Sequence, residues 1–477
     1  QSVGLIAIKH VNVYNIHMTA RIRPVHRNVP YLLPPDLRDW VPEDDMVHFV
    51  IEAVEAAPIR PDAFRVNERG TGSRQYAPKM MLALLIYSYA NGIFSSRRIE
   101  KATYRDVCVR YLTADQHPDH DTICKFRREN ETLFAEVFLQ VLKLAKEIGV
   151  LKVGTVSVDG THIAADASKS NNVRYDRAKK LEERLRTDID ELVKKAKQAD
   201  GDDPDDDGKT LPKEIARRER LLKKMKQAQA DLERRAQAKH EAALVEYERK
   251  KEKYEERQKG EYRGGHNPKE PEYTGPEAKD QSNLTDDDSR LMKKHRRAEY
   301  KQSYNAQIAV DADGSQLILS RHVTNCASDA GELGPALQGI DPSIGRPTRG
   351  LADNGYLSGD AIERLENAGY DLYIPVTSED GNNERRYDYR PPREPKKKTI
   401  RDKRLLAMKA KMEQDEARRL YAKRKQTVEP VFGIIKSVLG FREFRLRGLE
   451  KVSVEWSLVT LAYNVKRLFA LQAAATS

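Results

Sequence analysis

Cysteine is nearly missing from this chain: three in 477 residues, Cys108, Cys124 and Cys326, far apart and with no CxxC pair. That spacing excludes a disulfide framework and a zinc ribbon, and it fits a reducing, cytoplasmic compartment. Long apolar runs are missing too. With 39% hydrophobic and 33% charged residues and a mean hydropathy of -0.74, no window supplies the roughly 20 consecutive apolar residues of a membrane-spanning helix. The opening QSVGLIAIKHVNVYNIH lacks the basic start, apolar centre and small-residue cleavage site of a signal peptide. Met18 is the expected natural start, with residues 1–17 a non-native or disordered extension rather than a short added strand.

What is present is charge. Lys and Arg number 85 against 74 Asp and Glu, a net +11, which favours a polyanionic partner. The excess is localised, since Arg390 to Lys425 carries 15 basic and 5 acidic residues. A basic run of this kind suits phosphate-backbone binding, and a solvated helix face is its plain alternative.

The length fits two to four domains. Residues 18–150 read as an all-helical domain, from apolar spacings of three and four in MVHFVIEAV and KMMLALLIYSYANGI. Within it, SSRR, then Asp121 and Thr122 before the basic ICKFRREN, suggest a helix-turn-helix. Its DNA-contact candidates are Arg97, Arg98, Lys125, Arg127 and Arg128. KVGTVSVD predicts a strand ending at Asp159 and stopping at Gly160, the first core strand of residues 151–172. Residues 173–260 are charged and helical in spacing, broken by ADGDDPDDDGKTLP, which predicts two antiparallel helices inserted into the core. DPDDDGKTLPKE, 203–214, matches a calcium-loop pattern in form, but its prolines and Thr210 at an apolar position favour a plain acidic turn. Residues 261–300 read as a Gly, Pro and Asn-rich linker, and QIAV and LILS around Asp313-Gly314 as a hairpin. From there to residue 448 strands and helices alternate, as in an α/β sheet, and 449–477 is a final apolar helix.

Divalent-metal phosphodiester chemistry needs carboxylates converging from distant positions, because the ions take hard oxygen ligands. Asp159, Asp353 in LADNGY and Glu429 in VEPVFGIIK stand on three separate elements and could form such a site. Singly, each has a plainer reading as a turn former or helix-start acid. Asp311, Asp313 and Asp329 are weaker candidates: the first two flank the hairpin turn, and Asp329 precedes a helix that it would cap.

Taken in order, YAPKMMLALLIYSYANGIFSSRRIE, HPDHDTICKFRR, VSVDGTHIAADAS, YNAQIAVD, LADNGY and VEPVFGIIK resemble bacterial insertion-sequence transposases of the DDE class. The resemblance spans residues 18 to 469. It implies an α/β ribonuclease H-like mixed-sheet core, with an all-helical N-terminal domain and a long charged helical-hairpin insertion. It also implies that Asp159 and Asp353 lie on adjacent central strands, that Glu429 comes from a packed helix, and that the three acids hold Mg2+, with Mn2+ as a substitute. The resemblance further implies strand cleavage and strand transfer on the inverted repeats of double-stranded DNA, by a homodimer that brings two ends together. Lys436, Arg424, Lys425 and Tyr421 would contact the DNA.

One departure is visible. Relatives place the arginine four residues before the glutamate; here Lys425 holds that position and Arg424 is five before. Pro430 also predicts that a helix begins at Glu429, leaving Tyr421 and Arg424 on a separate helix. Rival readings are a DNA-binding protein that has lost cutting, and a metal-dependent nuclease that cannot use a 3′-OH.

Overall fold

The computed structural model describes residues 36–60, 63–64, 75–202, 210–259, 266–293, 298–376 and 400–476. The expected extension at 1–17 lies outside them, as does most of the acidic turn that matches the calcium pattern.

Among the described residues, a short 3-10 turn at Leu37–Trp40 is followed by six α-helices: α1 (Met46–Ala56), α2 (Pro78–Ala90), α3 (Ser96–Arg105), α4 (Val107–Leu112), α5 (His120–Glu129) and α6 (Glu131–Glu147). α1 is capped by Asp45, whose side chain accepts from the Val47 N–H, and α2 starts with Pro78 in its first turn, where no amide donor is lost. Asp119 caps α5, its carboxylate accepting from Thr122 N–H at 2.8 Å, and Asp121 lies in the first turn. α2 is buried almost all round, because α1, α4 and the final helix, α13 (Leu449–Thr476), pack against it.

Between the first and last helices lies a mixed sheet. β1 (Thr155–Ala164) pairs antiparallel with β5 (Lys301–Asp311), which pairs antiparallel with β6 (Ile318–Thr324). On its other side β1 runs parallel to β7 (Arg349–Leu351), and β7 parallel to β8 (Asp371–Tyr373). The order is β6-β5-β1-β7-β8, with β4 (Arg290–Met292) added to the start of β5. The predicted hairpin is β5 and β6.

β1 does not stop at Gly160. It continues to Ala164 because Thr161 to Ala164 find partners in Ser303 to Ala306 of β5, so Asp159 sits mid-strand. Two short strands also lie in the stretch expected as linker. β4 joins the main sheet, and β3 (Gln281–Asn283) pairs with β2 (Asn172–Arg174) at the foot of the insertion.

The insertion is the expected helical pair, α7 (Tyr175–Asp202) and α8 (Thr210–Lys259), in contact with each other around Val173, Ala178, Leu185, Met225 and Ala228. α9 (Leu333–Gln338) and α10 (Gly359–Asn367) flank the sheet, and α11 (Lys403–Met412) and α12 (Asp415–Gly433) follow β8.

α12 runs unbroken through Pro430 and passes into a π turn, Ile434–Val438. A helix beginning at Glu429 is therefore corrected. Proline cannot donate to the carbonyl four residues back, and that carbonyl, of Gln426, instead accepts from the Gln316 side-chain amide at 2.9 Å.

The N-terminal helices and the sheet share one apolar core, and α13 joins them. It packs on α2, α6 and β6; Asn464 both donates to and accepts from the Ile318 backbone, at 2.8 and 2.9 Å. No helix among the described residues is long and apolar enough to cross a membrane.

Candidate active site

Strand register brings the first two acids together. Ser157 of β1 stands opposite Leu351 of β7 in a parallel pair, so Asp159 and Asp353, each two residues further on, arrive side by side. The carboxyl edge of parallel strands is where open α/β sheets place their ligands. Asp353 has left its strand and caps the turn Asn354–Tyr356, its carboxylate accepting from Gly355 N–H at 2.8 Å. Asn354 fastens that turn to the end of β8, donating to the carbonyls of Pro375 and Val376 at 2.8 and 3.1 Å.

Alternate residues of β1 share a face, and Ser157, Asp159 and Thr161 all meet α12 and its π turn. Thr427 contacts Ser157 at 2.8 Å, and Arg424 reaches Asp159 at 3.0 Å. Lys436 donates to Thr161 and to the His162 carbonyl. π turns recur at functional sites because they re-aim the side chains beyond them.

Arg424 joins the three acids. Its Nη2 is also 3.6 Å from Asp353, and its Nη1 is 3.7 Å from Glu429. The Arg424 side chain is 7% exposed, against 53% for Glu429. The expectation that Lys425 would take this face is corrected: Lys425 is exposed, whereas Arg424 shares the inward stripe of α12 with Tyr421, Thr427, Val428 and Val431. Tyr421 is buried beside it rather than offered to a ligand surface.

Burial pushes the Asp159 carboxyl up to about 7; the Arg424 charge pulls it down, and Asp353 and Asp329 push it further up. Burial also opposes the charge on Arg424, but Asp159 foremost, with Tyr421, Asp353 and Glu429, more than offsets it.

Three carboxylates offer the hard oxygens that a divalent cation takes. Among the described residues no three His, Cys, Asp or Glu side chains are already gathered at metal-ligand spacing. The space they enclose is taken by the guanidinium. Asp159, Asp353 and Glu429 are the residues that would hold a divalent cation here.

A further acid belongs here. Asp329 does not cap α9, whose N-cap is Glu332 without a side-chain hydrogen bond. Its Oδ1 accepts instead from Asn305 at 2.7 Å and Gln307 at 2.6 Å, both buried on β5. The polar Asn305 and Gln307 inside the otherwise apolar YNAQIAV are the sequence signal for this network.

The candidates in the N-terminal region divide. Arg97 and Arg98 on α3, and Lys125 and Arg128 on α5, are exposed. Arg127 is not: with Ile123 it forms the inner side of α5, donates to Tyr89 at 2.8 Å and the Phe94 carbonyl at 3.1 Å, and lies 3.8 Å from buried Glu455 of α13. Its expected DNA contact is thus corrected to a core ion pair.

Fold and site together define an α/β protein with carboxylates gathered around a buried arginine at the carboxyl edge of a mixed sheet. Two families match it: the transposase DDE domain over residues 269–465, and the transposase domain DUF772 over residues 35–129. Through these two domains the chain belongs to the insertion-sequence DDE transposases. Asp353 and Glu429 fall within the first match, and Asp159 between the two. No curated protein and no solved structure matches the chain.

Proposed function

We propose that this transposase binds the terminal inverted repeats of its element, cuts the DNA ends and joins them to target DNA, using Asp159, Asp353 and Glu429 with Mg2+. The observation that carries the reading is the reach of one guanidinium, Arg424, to within 3.7 Å of acids from three separate elements. Separate turn or capping roles would not require that convergence.

The strand order β6-β5-β1-β7-β8, antiparallel on one side of β1 and parallel on the other, supports a ribonuclease H-like core interrupted by the α7–α8 insertion. In functional terms the chain divides into a DNA-binding region at 18–150, a catalytic region at 151–172 and 301–448, an insertion at 173–260, a linker at 261–300, and the closing helix at 449–477.

A bound divalent cation supplies polarisation of the scissile phosphate and an activated water or 3′-OH. The protein's own residues do the rest. Asp159 and Asp353 are fixed by strand register, and Glu429 closes the site from α12. Lys436, held over Thr161 at the rim, offers positive charge to a phosphate, and Arg424 turns to DNA once displaced from the acids. Arg97, Arg98, Lys125 and Arg128 give the helical region a basic surface for the ends, in a helix-turn-helix arrangement. Two ends must be brought together, so the working form is a homodimer on DNA, in the cytoplasm.

The test is cleavage and joining of labelled DNA bearing the native element ends, in Mg2+ or Mn2+, by wild type and Asp353→Asn. Wild type that cuts and joins, beside a variant that binds and does neither, supports the reading. Binding by both with no cutting by either overturns it.

A further inference from the structure

The acid site has a fourth carboxylate whose position is set by a chain of buried polar groups. Asn305 and Gln307 lie on β5 opposite His162 and Gly160 of β1, next to Asp159. Gln307 donates to Asp329 at 2.6 Å and to Asn305 at 3.0 Å, and its own carbonyl oxygen accepts from the Tyr356 hydroxyl. Tyr356 ends the turn that Asp353 caps. The chain therefore runs from Asp329 through Gln307 and Tyr356 back to the Asp353 turn.

Space around it is fully used. A Cβ on Gly160 would stand 2.1 Å from Gln307 Nε2 and 2.7 Å from Asp329 Oδ1. A Cβ on Gly355 would stand 2.9 Å from Asp353 Oδ1 and 3.5 Å from Asp329 Oδ2. Asp329 thus has one oxygen clamped by two amides and the other within 3.5 Å of the Gly355 Cβ position that Asp353 Oδ1 also approaches, and both acids act on Asp159. At the centre of the acids lies Arg424, more than nine-tenths buried, its Nε without a partner among the described residues.

We propose that Asp329 is a positioning residue for the divalent cation: its clamped carboxylate adds negative charge beside Asp353 and fixes the Asp353 turn through Gln307 and Tyr356. The inference rests on the reading of Asp159, Asp353 and Glu429 as the cation's holders. Outer carboxylates of this kind commonly change metal affinity by about 10- to 100-fold.

The test is Mn2+ titration of the full-length, DNA-free protein by calorimetry, for wild type, Asp353→Asn, Asp329→Asn and Asp329→Glu, with thermal unfolding of each. Asp329→Asn keeps an oxygen for the two amide donors and removes only the charge. Its affinity for Mn2+ is expected to fall about tenfold, with its metal-free melting temperature held at or above that of wild type, and Asp329→Glu is expected to recover most of the loss. A wild-type isotherm for Asp329→Asn overturns the proposal, and so does a Glu variant as weak as the Asn variant. Should Asp329→Asn fail to fold, Asn305→Ala loosens the same clamp and is expected to weaken Mn2+ binding; an unchanged isotherm there counts equally against the proposal. If Asp353→Asn binds Mn2+ as wild type does, it is the three-acid reading that fails. If Asp353→Asn loses binding while Asp329→Asn keeps it, only the role of Asp329 fails.

Discussion

Arg424 of α12 and Asp159 of β1 meet at 3.0 Å, and the same guanidinium nitrogen lies 3.6 Å from Asp353. The acids thus carry a counter-ion supplied by the chain itself. On the proposed reading, an entering cation competes with a side chain that is already charged and buried.

Removing that side chain leaves a buried carboxylate without its partner. Arg424→Ala is expected to lose about 3 to 5 kcal/mol of stability, the usual result of breaking a buried pair. It is also expected to gain more from Mn2+ than wild type does, since the cation restores the missing charge. Thermal unfolding with and without Mn2+ checks this, and equal metal-induced shifts in the two proteins would refute it.

Acidity gives a second expectation. The Asp159 carboxyl is raised from 3.8 to about 7, so its proton is retained through the mildly acidic range. The stabilisation of this raised acid is fully present below its unfolded value and is lost as pH rises through about 7. Cation binding has the opposite slope because it needs the carboxylate. Mn2+ affinity of the DNA-free protein should fall about tenfold per pH unit below neutrality and level off above it. Calorimetry across that range tests the slope, and Asp159→Asn should abolish it.

Adjacent arginines on α5 should behave oppositely. Arg127→Ala strands Glu455 in the core and is expected to cost about 3 to 5 kcal/mol. Arg128→Ala should stay within about 0.5 kcal/mol of wild type, yet lower the salt dependence of DNA binding by close to one unit of slope. Denaturant unfolding paired with binding at several salt concentrations separates the two; a normal melting curve for Arg127→Ala would contradict its core role.

Gly160→Ala forces a methyl group into Gln307 and Asp329. Overpacking of this order costs about 1 to 3 kcal/mol, and the damage should extend to Mn2+ binding. Gly314→Ala, in open space at the hairpin turn with φ of +128°, should lose stability without touching Mn2+ affinity. Parallel unfolding and calorimetry distinguish these outcomes.

Much of the sheet was legible because its signals are local. Alternation in QIAV and LILS around Asp313-Gly314 gives the β5–β6 hairpin, and helical spacing gives α7 and α8. Asp353 and Glu429 could be named before any geometry was known. The remainder depended on distant partners. Pro430 reads as a helix start until Gln316, from the hairpin turn, accounts for the freed carbonyl. Arg424 looks misplaced by counting back from Glu429 until Asp159 of β1 is found against it. Asp329 resembles a helix cap unless Asn305 and Gln307 are recognised as buried. Arg127 looks like one more surface cation, since nothing near it in sequence announces Glu455.

The same distance dependence governs how the molecule comes into being. α13 is synthesised after everything it packs against, and it supplies core to α2, α6 and β6 together. A nascent chain that has reached only Gly448 lacks a cover for both its helical layer and its sheet. The helical layer and the sheet that carries the acids are therefore covered by one and the same helix. A prematurely terminated product would be an aggregation-prone fragment with an open core, not a working half.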